Sequence, residues 1–164
     1  MNKLLRILTA GPGGASPLAD FGLLITRVGV GVIMAFGHGL SKVWRAGEFG
    51  PPQQLIEGVG KMGFPAPTAF AWAAALTEFL GAILLALGLF TRPVALALTF
   101  NMAVAAFVAH GKDPWFNTGA GPAKEAALMF LLPFLLFVFT GAGRYSVDGL
   151  LRRRGERLAA KSES

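Results

Sequence analysis

Apolar residues in this chain occur in long runs, rather than with the two-residue period of a strand or the stripe of a surface helix. Four stretches of 18 to 25 residues carry only occasional ionisable side chains: residues 18–40, 66–90, 93–110 and 122–141. The hydrocarbon core of a bilayer is about 30 Å thick and needs about 20 apolar residues per helix. The pattern therefore predicts an all-α fold, an integral membrane four-helix bundle.

The segments around the spans complete the predicted layout. Residues 1–17 indicate a cytoplasmic N-terminal segment, residues 18–150 the four-span membrane domain, and residues 151–164 a basic cytoplasmic tail. The turn at 88–93 is so short that the second and third helices must form an antiparallel hairpin. In the first loop, residues 51–65, apolar residues recur at helical spacing. They predict a short amphipathic helix that either lies at the outer interface or closes the open end of the bundle.

Charge supports this layout and sets its orientation. The net charge is +6, and nine basic residues lie in the N-terminal segment, the 91–92 turn and the C-terminal tail, against four in the other two loops. This excess predicts that both termini are cytoplasmic. The basic tail beside the last span also indicates contact with anionic lipid of the bilayer. No nucleic-acid partner is expected, because no recognition motif accompanies the charge.

Composition restricts the cofactor chemistry. Hydrophobic residues make up 54% of the chain and cysteines are absent, so this chain has no disulfide, CxxC redox pair or thiolate metal ligand of its own. Two histidines, His38 and His110, lie at similar predicted depths and could hold a haem. No c-type attachment motif accompanies them, and no metal site is predicted. No fingerprint for flavin, iron–sulfur or nicotinamide binding is present, so the sequence has no independent catalytic motif.

Ionisable residues inside the spans are the first candidates for function. A charge in the bilayer core costs several kcal/mol unless it is paired or hydrated. Helical rise places Arg27 and Glu78 at similar depths from the inner ends of their spans, which predicts a pair with Asn101 as a third member. Such a pair either fixes the register of the helices or takes part in function, and the sequence leaves both interpretations open.

A polar stripe is predicted to run from this pair towards the outer surface. His38 and Lys42 follow Arg27 on one face of the first helix, so the stripe would face Glu78 and Glu125 across the bundle. Two of these residues have simpler interpretations. Lys42 can extend its ammonium group into the headgroups, and Glu125 can act only on the dipole of its own helix.

Three groups of motifs occur in order along residues 20 to 150. The first is RVGVG at 27–31 with GHGLSK at 37–42, the second is TEFLGA at 77–82 with LGLFTR at 87–92, and the third is Glu125 with GAGRYSVD at 141–148. Together they resemble the DoxX family of small bacterial membrane proteins, whose members have four helices in the inner (plasma) membrane. By this resemblance the polar core positions would be Arg27, Lys42, Glu78 and Glu125.

The resemblance also implies a redox context. The family name derives from a subunit associated with a quinone-linked thiosulfate-oxidising system, and other members are linked to oxidative-stress complexes and to quinone metabolism. Some relatives in the wider superfamily are tied to thiol chemistry. The absence of cysteine argues that this chain does not perform it.

Three functions remain open. In the first, the chain is a redox-associated membrane subunit that binds a quinone or another small apolar ligand between its helices, with a redox partner protein supplying electrons. In the second, it is a carrier or small channel for protons or small organic molecules. In the third, it is a non-catalytic scaffold, alone or as a homo-oligomer, whose basic tail recruits a partner protein. We favour the first, and the predicted ligand-binding residues are Arg27, His38, Lys42, Glu78 and Glu125.

Overall fold

The computed structural model describes residues 16–119 and 121–162, and helices account for most of them. The predicted N-terminal segment therefore lies outside the described residues, apart from its last two positions. The helices are, in chain order, α1 (Pro17–Val43), α2 (Gln53–Lys61), α3 (Pro67–Leu87), α4 (Thr91–Ala109), α5 (Glu125–Thr140) and α6 (Val147–Ser162). Two short antiparallel strands, β1 (Trp44–Arg45) and β2 (Glu48–Phe49), form a hairpin after α1. The described residues are mostly helical, as predicted, and this two-residue hairpin was not anticipated.

Within the described residues, three helices are long and apolar enough to cross a bilayer. They are α1, α3 and α4, with 27, 21 and 19 residues. The fourth apolar helix, α5, has 16 residues and is about 24 Å long at 1.5 Å per residue. It is shorter than the predicted span at 122–141, because Pro122 and Ala123 lie before its first turn and Gly141 ends it.

Two glycines of α1 allow its backbone to approach α3 closely. A Cβ atom at Gly31 would lie 2.8 Å from the carbonyl oxygen of Ala82, and one at Gly39 would lie 2.5 Å from the amide nitrogen of Phe79. Real Cβ atoms do not approach other atoms this closely, so these positions require glycine. Small residues at such contacts let membrane helices pack backbone against backbone. The register of α1 on α3 is fixed by this packing.

The segment after α5 ties the helix ends together. Asp148 accepts hydrogen bonds from the backbone amides of Phe90 at 3.0 Å and Thr91 at 2.9 Å, and its own amide donates to the carbonyl of Gly88 at 2.9 Å. The carboxylate therefore satisfies free amides at the start of α4, as a helix cap does. Asp20, in the first turn of α1, accepts from the amide of Arg144 at 2.9 Å.

Arg27 completes this group of contacts. Its guanidinium is buried and donates to the carbonyl oxygens of Tyr145 at 2.8 Å and Leu85 at 3.4 Å, and Asp148 attracts it electrostatically. We call Asp20, Arg27 and Asp148 the polar end cluster. It joins the beginning of α1, the turn between α3 and α4, and the segment that follows α5.

Two shorter helices lie outside the apolar spans. α2 packs against α3 and buries Val59, which confirms the amphipathic helix predicted in the first loop. The other, α6, was not anticipated: the residues expected to form a basic tail lie in a 16-residue helix that starts at Val147.

Candidate functional site

A buried ion pair lies between α1 and α3. The ammonium nitrogen of Lys42 is 2.6 Å from both carboxylate oxygens of Glu78. The side-chain amide of Asn101, on α4, donates to Oε1 of the same carboxylate at 3.0 Å. The side chain of Glu78 is only 4% exposed and that of Lys42 is 31% exposed, so the pair is sheltered on the glutamate side and open on the lysine side. These three residues are called the ion-pair cluster.

Local distortions of three helices surround the ion-pair cluster. Each of α1, α3 and α4 contains a π-helical segment, at Ile33–Gly39, Thr77–Gly81 and Ala105–Ala109 respectively. Glu78 lies within the second of these segments, and His110 follows directly after the third. A π-helical turn inserts an extra residue into a helix and redirects its side chains, and such turns are frequent at functional sites.

A cavity of about 380 Å³ begins at the ion-pair cluster. We call it the ligand cavity. Three of its polar lining residues, Lys42, Glu78 and Asn101, are bonded to one another, and the other two are Thr77 and His110. The rest of the lining is almost wholly apolar and comes from α2, α3 and α4 and the loop after α2, with Leu55, Val59, Met62, Phe64, Phe70, Ala73, Ala74, Ala97, Phe100, Val104, Ala105 and Ala109 among its residues. An apolar cavity of this size with a few converging polar groups is typical of a small-molecule site.

The walls of the ligand cavity differ in their exposure. On the side of α2, Val59 is buried and closes the cavity. Between α3 and α4 the lining residues reach the protein surface, with Phe70 42% and Phe100 66% exposed. Both phenylalanines belong to helices that can cross a bilayer, where exposed apolar side chains face lipid. The part of the lining between α3 and α4 therefore lies on a surface that faces the bilayer.

A second, smaller cavity lies on the other side of the ion pair. It has a volume of about 220 Å³ and shares Lys42, Glu78 and His110 with the ligand cavity. His38 lines it too and makes an edge-to-face contact with Phe130 of α5, with ring centroids 5.3 Å apart. His38 therefore lies near the ion-pair cluster. Among the described contacts, it makes no direct hydrogen bond to Lys42, Glu78 or Asn101.

Two of the predicted site residues lie elsewhere. The predicted pairing of Arg27 with Glu78 is wrong, because Arg27 belongs to the polar end cluster and Glu78 bonds Lys42 and Asn101 instead. The depth estimate assumed that all spans begin in one plane. Gly39 of α1 lies against the backbone of Glu78, whereas Arg27 reaches the last turn of α3 at Leu85.

Glu125 is also separate from the ion-pair cluster. It accepts a hydrogen bond from the backbone amide of Asn117 at 2.9 Å and lines a different cavity at the start of α5. The adjacent Lys124 is buried and lies over the ring of Trp115, with its ammonium nitrogen 4.9 Å from the centroid. These contacts hold the loop between α4 and α5.

Several features of the site were not anticipated from the sequence. The aromatic lining of the ligand cavity has no sequence signal, because phenylalanine is common throughout the spans. His110 Nδ1 lies 2.7 Å from the carboxylate of Asp113. The spacing of three residues between them was the one weak indication of this contact in the sequence. In the described parts of the chain, no group of three or more His, Cys, Asp or Glu side chains is placed to hold a metal ion.

Comparisons with known proteins agree with this picture. The family model described as DoxX matches residues 22–111, a region that includes Arg27, His38, Lys42 and Glu78 and ends before Glu125. No solved structure matches the chain.

Three curated relatives are similar over much of their length. An uncharacterized protein of Haemophilus influenzae is 41% identical over 99 residues, which cover 59% of this chain and 70% of the relative. Inner membrane protein YqjF of Escherichia coli is 31% identical over 143 residues, covering 84% and 97%. Inner membrane protein YphA of the same organism is 30% identical over 148 residues, covering 83% and 92%.

These matches and the three apolar helices indicate both the cellular location and the family of the protein. The protein is a multi-pass protein of the bacterial inner membrane, embedded in the lipid bilayer. The match to the family model covers more than half of the chain, and the resemblance seen in the sequence motifs is confirmed. The chain belongs to the DoxX family.

Proposed function

We propose that this protein is a redox-associated membrane subunit that binds the headgroup of a lipophilic quinone in the ligand cavity. One observation carries the proposal: a largely apolar cavity of about 380 Å³, with lining residues exposed on the lipid-facing surface, contains the ion-pair cluster in its wall. A ligand that enters from lipid must be largely apolar, and a ligand held by this cluster must carry polar atoms at one end. A quinone headgroup meets both conditions.

The donors of the ion-pair cluster suit the carbonyl oxygens of a quinone. The ammonium group of Lys42 has three N–H bonds and the amide of Asn101 has two, so each can keep its bond to Glu78 and still donate to a ligand. The planar ring would pack among the phenylalanines of the lining, such as Phe64 and Phe70, whose rings already lie 4.7 Å apart between centroids. Charge-assisted hydrogen bonds from Lys42 would favour the carbonyl that gains electron density on reduction.

Reduction of a quinone to a quinol adds two electrons and two protons to its carbonyl oxygens. The electrons would come from a redox partner protein, because this chain has no flavin, iron–sulfur or nicotinamide fingerprint. Protons could pass through Glu78, whose carboxylate contacts both cavities, while His38 and His110 line the second cavity beside it. Carboxylates and histidines inside membrane domains commonly serve as proton relays.

The same proposal includes four membrane passes with both termini in the cytoplasm. The contact of Asp20 with the amide of Arg144 brings the beginning of α1 next to the end of α5. These two ends can lie on one side of the membrane only if α5 crosses it. The excess of basic residues at this end supports a cytoplasmic location, and a few ångströms of bilayer thinning can accommodate the short α5.

The ligand can be tested by filling the cavity without touching its charges. Both Ala73 and Ala69 are exposed, but only Ala73 lines the ligand cavity. Ala73→Phe would therefore add an aromatic ring to the cavity wall, whereas Ala69→Phe adds the same ring one turn away, outside the cavity. We expect wild type and Ala69→Phe, purified in lipid nanodiscs from bacterial membranes, to retain a near-stoichiometric quinone by mass spectrometry. Ala73→Phe should retain at least tenfold less, with unchanged helix content.

Other outcomes would favour the other functions. Equal quinone in both variants, or none in wild type, would contradict the proposal. Co-purification of a soluble protein without quinone would favour a scaffold. Flux of protons or small organic molecules through reconstituted liposomes, abolished by Glu78→Gln, would favour a carrier.

A further inference from the structure

α6 combines exposed leucines with a high density of positive charge. Leu150, Leu151 and Leu158 are 59%, 50% and 62% exposed. The first two lie about two turns before the third, so all three share one face of the helix. Exposed leucines that cluster on one face of a helix indicate a contact surface.

The charge of α6 indicates the chemistry of that partner. The helix carries the basic residues Arg152, Arg153, Arg154, Arg157 and Lys161. Its acidic residues are Asp148, which is buried in the polar end cluster, and Glu156. Arg154 and Lys161 lie on the same face as the leucines, and long basic side chains of this kind can extend their charge to lipid headgroups while the leucines insert below them. This combination matches the headgroup region of an anionic bilayer.

The beginning of α6 is held close to the membrane-crossing helices. Asp148, in its first turn, bonds the amides at the start of α4. The guanidinium of Arg153 donates to the carbonyl of Arg144 at 3.2 Å, which fixes the following turn to the segment after α5. The leucine face therefore starts at the end of the apolar helices, where the lipid headgroups begin.

We propose that α6 lies on the membrane surface as an interfacial helix that binds anionic lipid, with its three leucines inserted at the boundary between headgroups and acyl chains. This inference is independent of the ligand in the ligand cavity. It also holds whichever side of the membrane contains the termini, because it depends on contacts between α6 and the ends of the spans.

The absence of cysteine from the chain permits a direct test. Leu158→Cys and Ala160→Cys proteins would each carry a polarity-sensitive fluorophore and be placed in nanodiscs of phosphatidylcholine, with or without phosphatidylglycerol. Ala160 is exposed and lies about 200° around the helix from Leu158. We expect the probe at Leu158 to shift to the blue and to be quenched at least threefold less by aqueous acrylamide when phosphatidylglycerol is present. The probe at Ala160 should stay accessible in both lipids.

A charge variant separates lipid binding from simple shielding. Arg154→Gln with Arg157→Gln should remove most of the dependence on phosphatidylglycerol at the Leu158 probe, with unchanged helix content by circular dichroism. Equal quenching of the Leu158 probe in both lipids would overturn the proposal. Protection that develops only after a cytosolic protein fraction is added would also overturn it, in favour of a protein partner.

Discussion

Replacing Lys42 by Met is expected to destabilise the folded protein by about 3–5 kcal/mol, since it leaves the carboxylate of Glu78 buried without its charged partner. Only the amide of Asn101 would then remain bonded to the carboxylate, which is 4% exposed. The change can be measured as the free energy of unfolding in detergent. Lys61→Met, at an exposed position of α2, is the matched control and should change it by less than about 0.5 kcal/mol.

The opposite substitution should be milder. Glu78→Gln keeps an acceptor for Asn101 and leaves Lys42 unpaired, but that side chain is 31% exposed and can turn its ammonium group towards polar surroundings. In the double variant, Lys42→Met with Glu78→Gln, no charge is left buried, and we expect recovery of more than half of the stability lost in Lys42→Met. If the two single changes simply add in the double variant, the buried ion pair is not a coupled unit.

Replacing Gly88 by Ala should be the most disruptive small substitution at the other end of the helices. Gly88 adopts φ of +69°, and a Cβ atom there would overlap the guanidinium of Arg27 and come within 2.6 Å of Ser146 Cβ. The left-handed conformation and the displacement of a buried arginine together should cost about 2–5 kcal/mol. Thermal unfolding in nanodiscs measures the loss.

A second glycine separates the two causes. Gly63 has nearly the same backbone, with φ of +85°, but nothing lies within 4 Å of the position of its Cβ atom. Gly63→Ala should therefore cost about 1–2 kcal/mol, from the conformation alone. Equal losses in Gly63→Ala and Gly88→Ala would mean that Arg27 does not depend on the space that Gly88 leaves.

Hydropathy was sufficient to predict the class of fold and three helices that can cross a bilayer, because burial in lipid requires long apolar runs whatever the tertiary packing. It also predicted α2, whose spacing of apolar residues is a local property. It could not predict α6, since a segment rich in arginine is equally compatible with an extended tail. The β1–β2 hairpin escaped notice because two-residue strands leave no periodic pattern.

The sequence predicted which polar residues lie near one another better than it predicted which of them bond to each other. His38, Lys42 and Glu78 were assigned to one polar region and do line one cavity, and the bond between Asn101 and Glu78 was anticipated. Their role in ligand binding stays a prediction. Arg27 was paired wrongly, because the axial offset between α1 and α3 depends on where Gly31 and Gly39 pack. Counting residues from the ends of helices cannot reveal such an offset.

Part of the polar end cluster lies in a motif that was visible in the sequence, but the role of that motif became clear only from the tertiary contacts. The closing motif at 141–148 was recognised as part of the family resemblance, but its Asp148 was given no role. In the structure it caps α4 and attracts Arg27. A motif distant in sequence from its partner helix can be assigned a function only when the tertiary contact is known.

Binding of a quinone in the ligand cavity is tested most directly by photocrosslinking. The protein in nanodiscs would be irradiated with a quinone that carries a photoreactive group, and the adducts would be mapped by peptide mass spectrometry. We expect adducts on lining residues of the ligand cavity, such as Met62, Phe70 and Phe100. Excess unlabelled quinone should suppress them, and so should Ala73→Phe. Adducts that spread along the exposed face of α5, for example at Phe139, and that resist competition would contradict quinone binding in the ligand cavity.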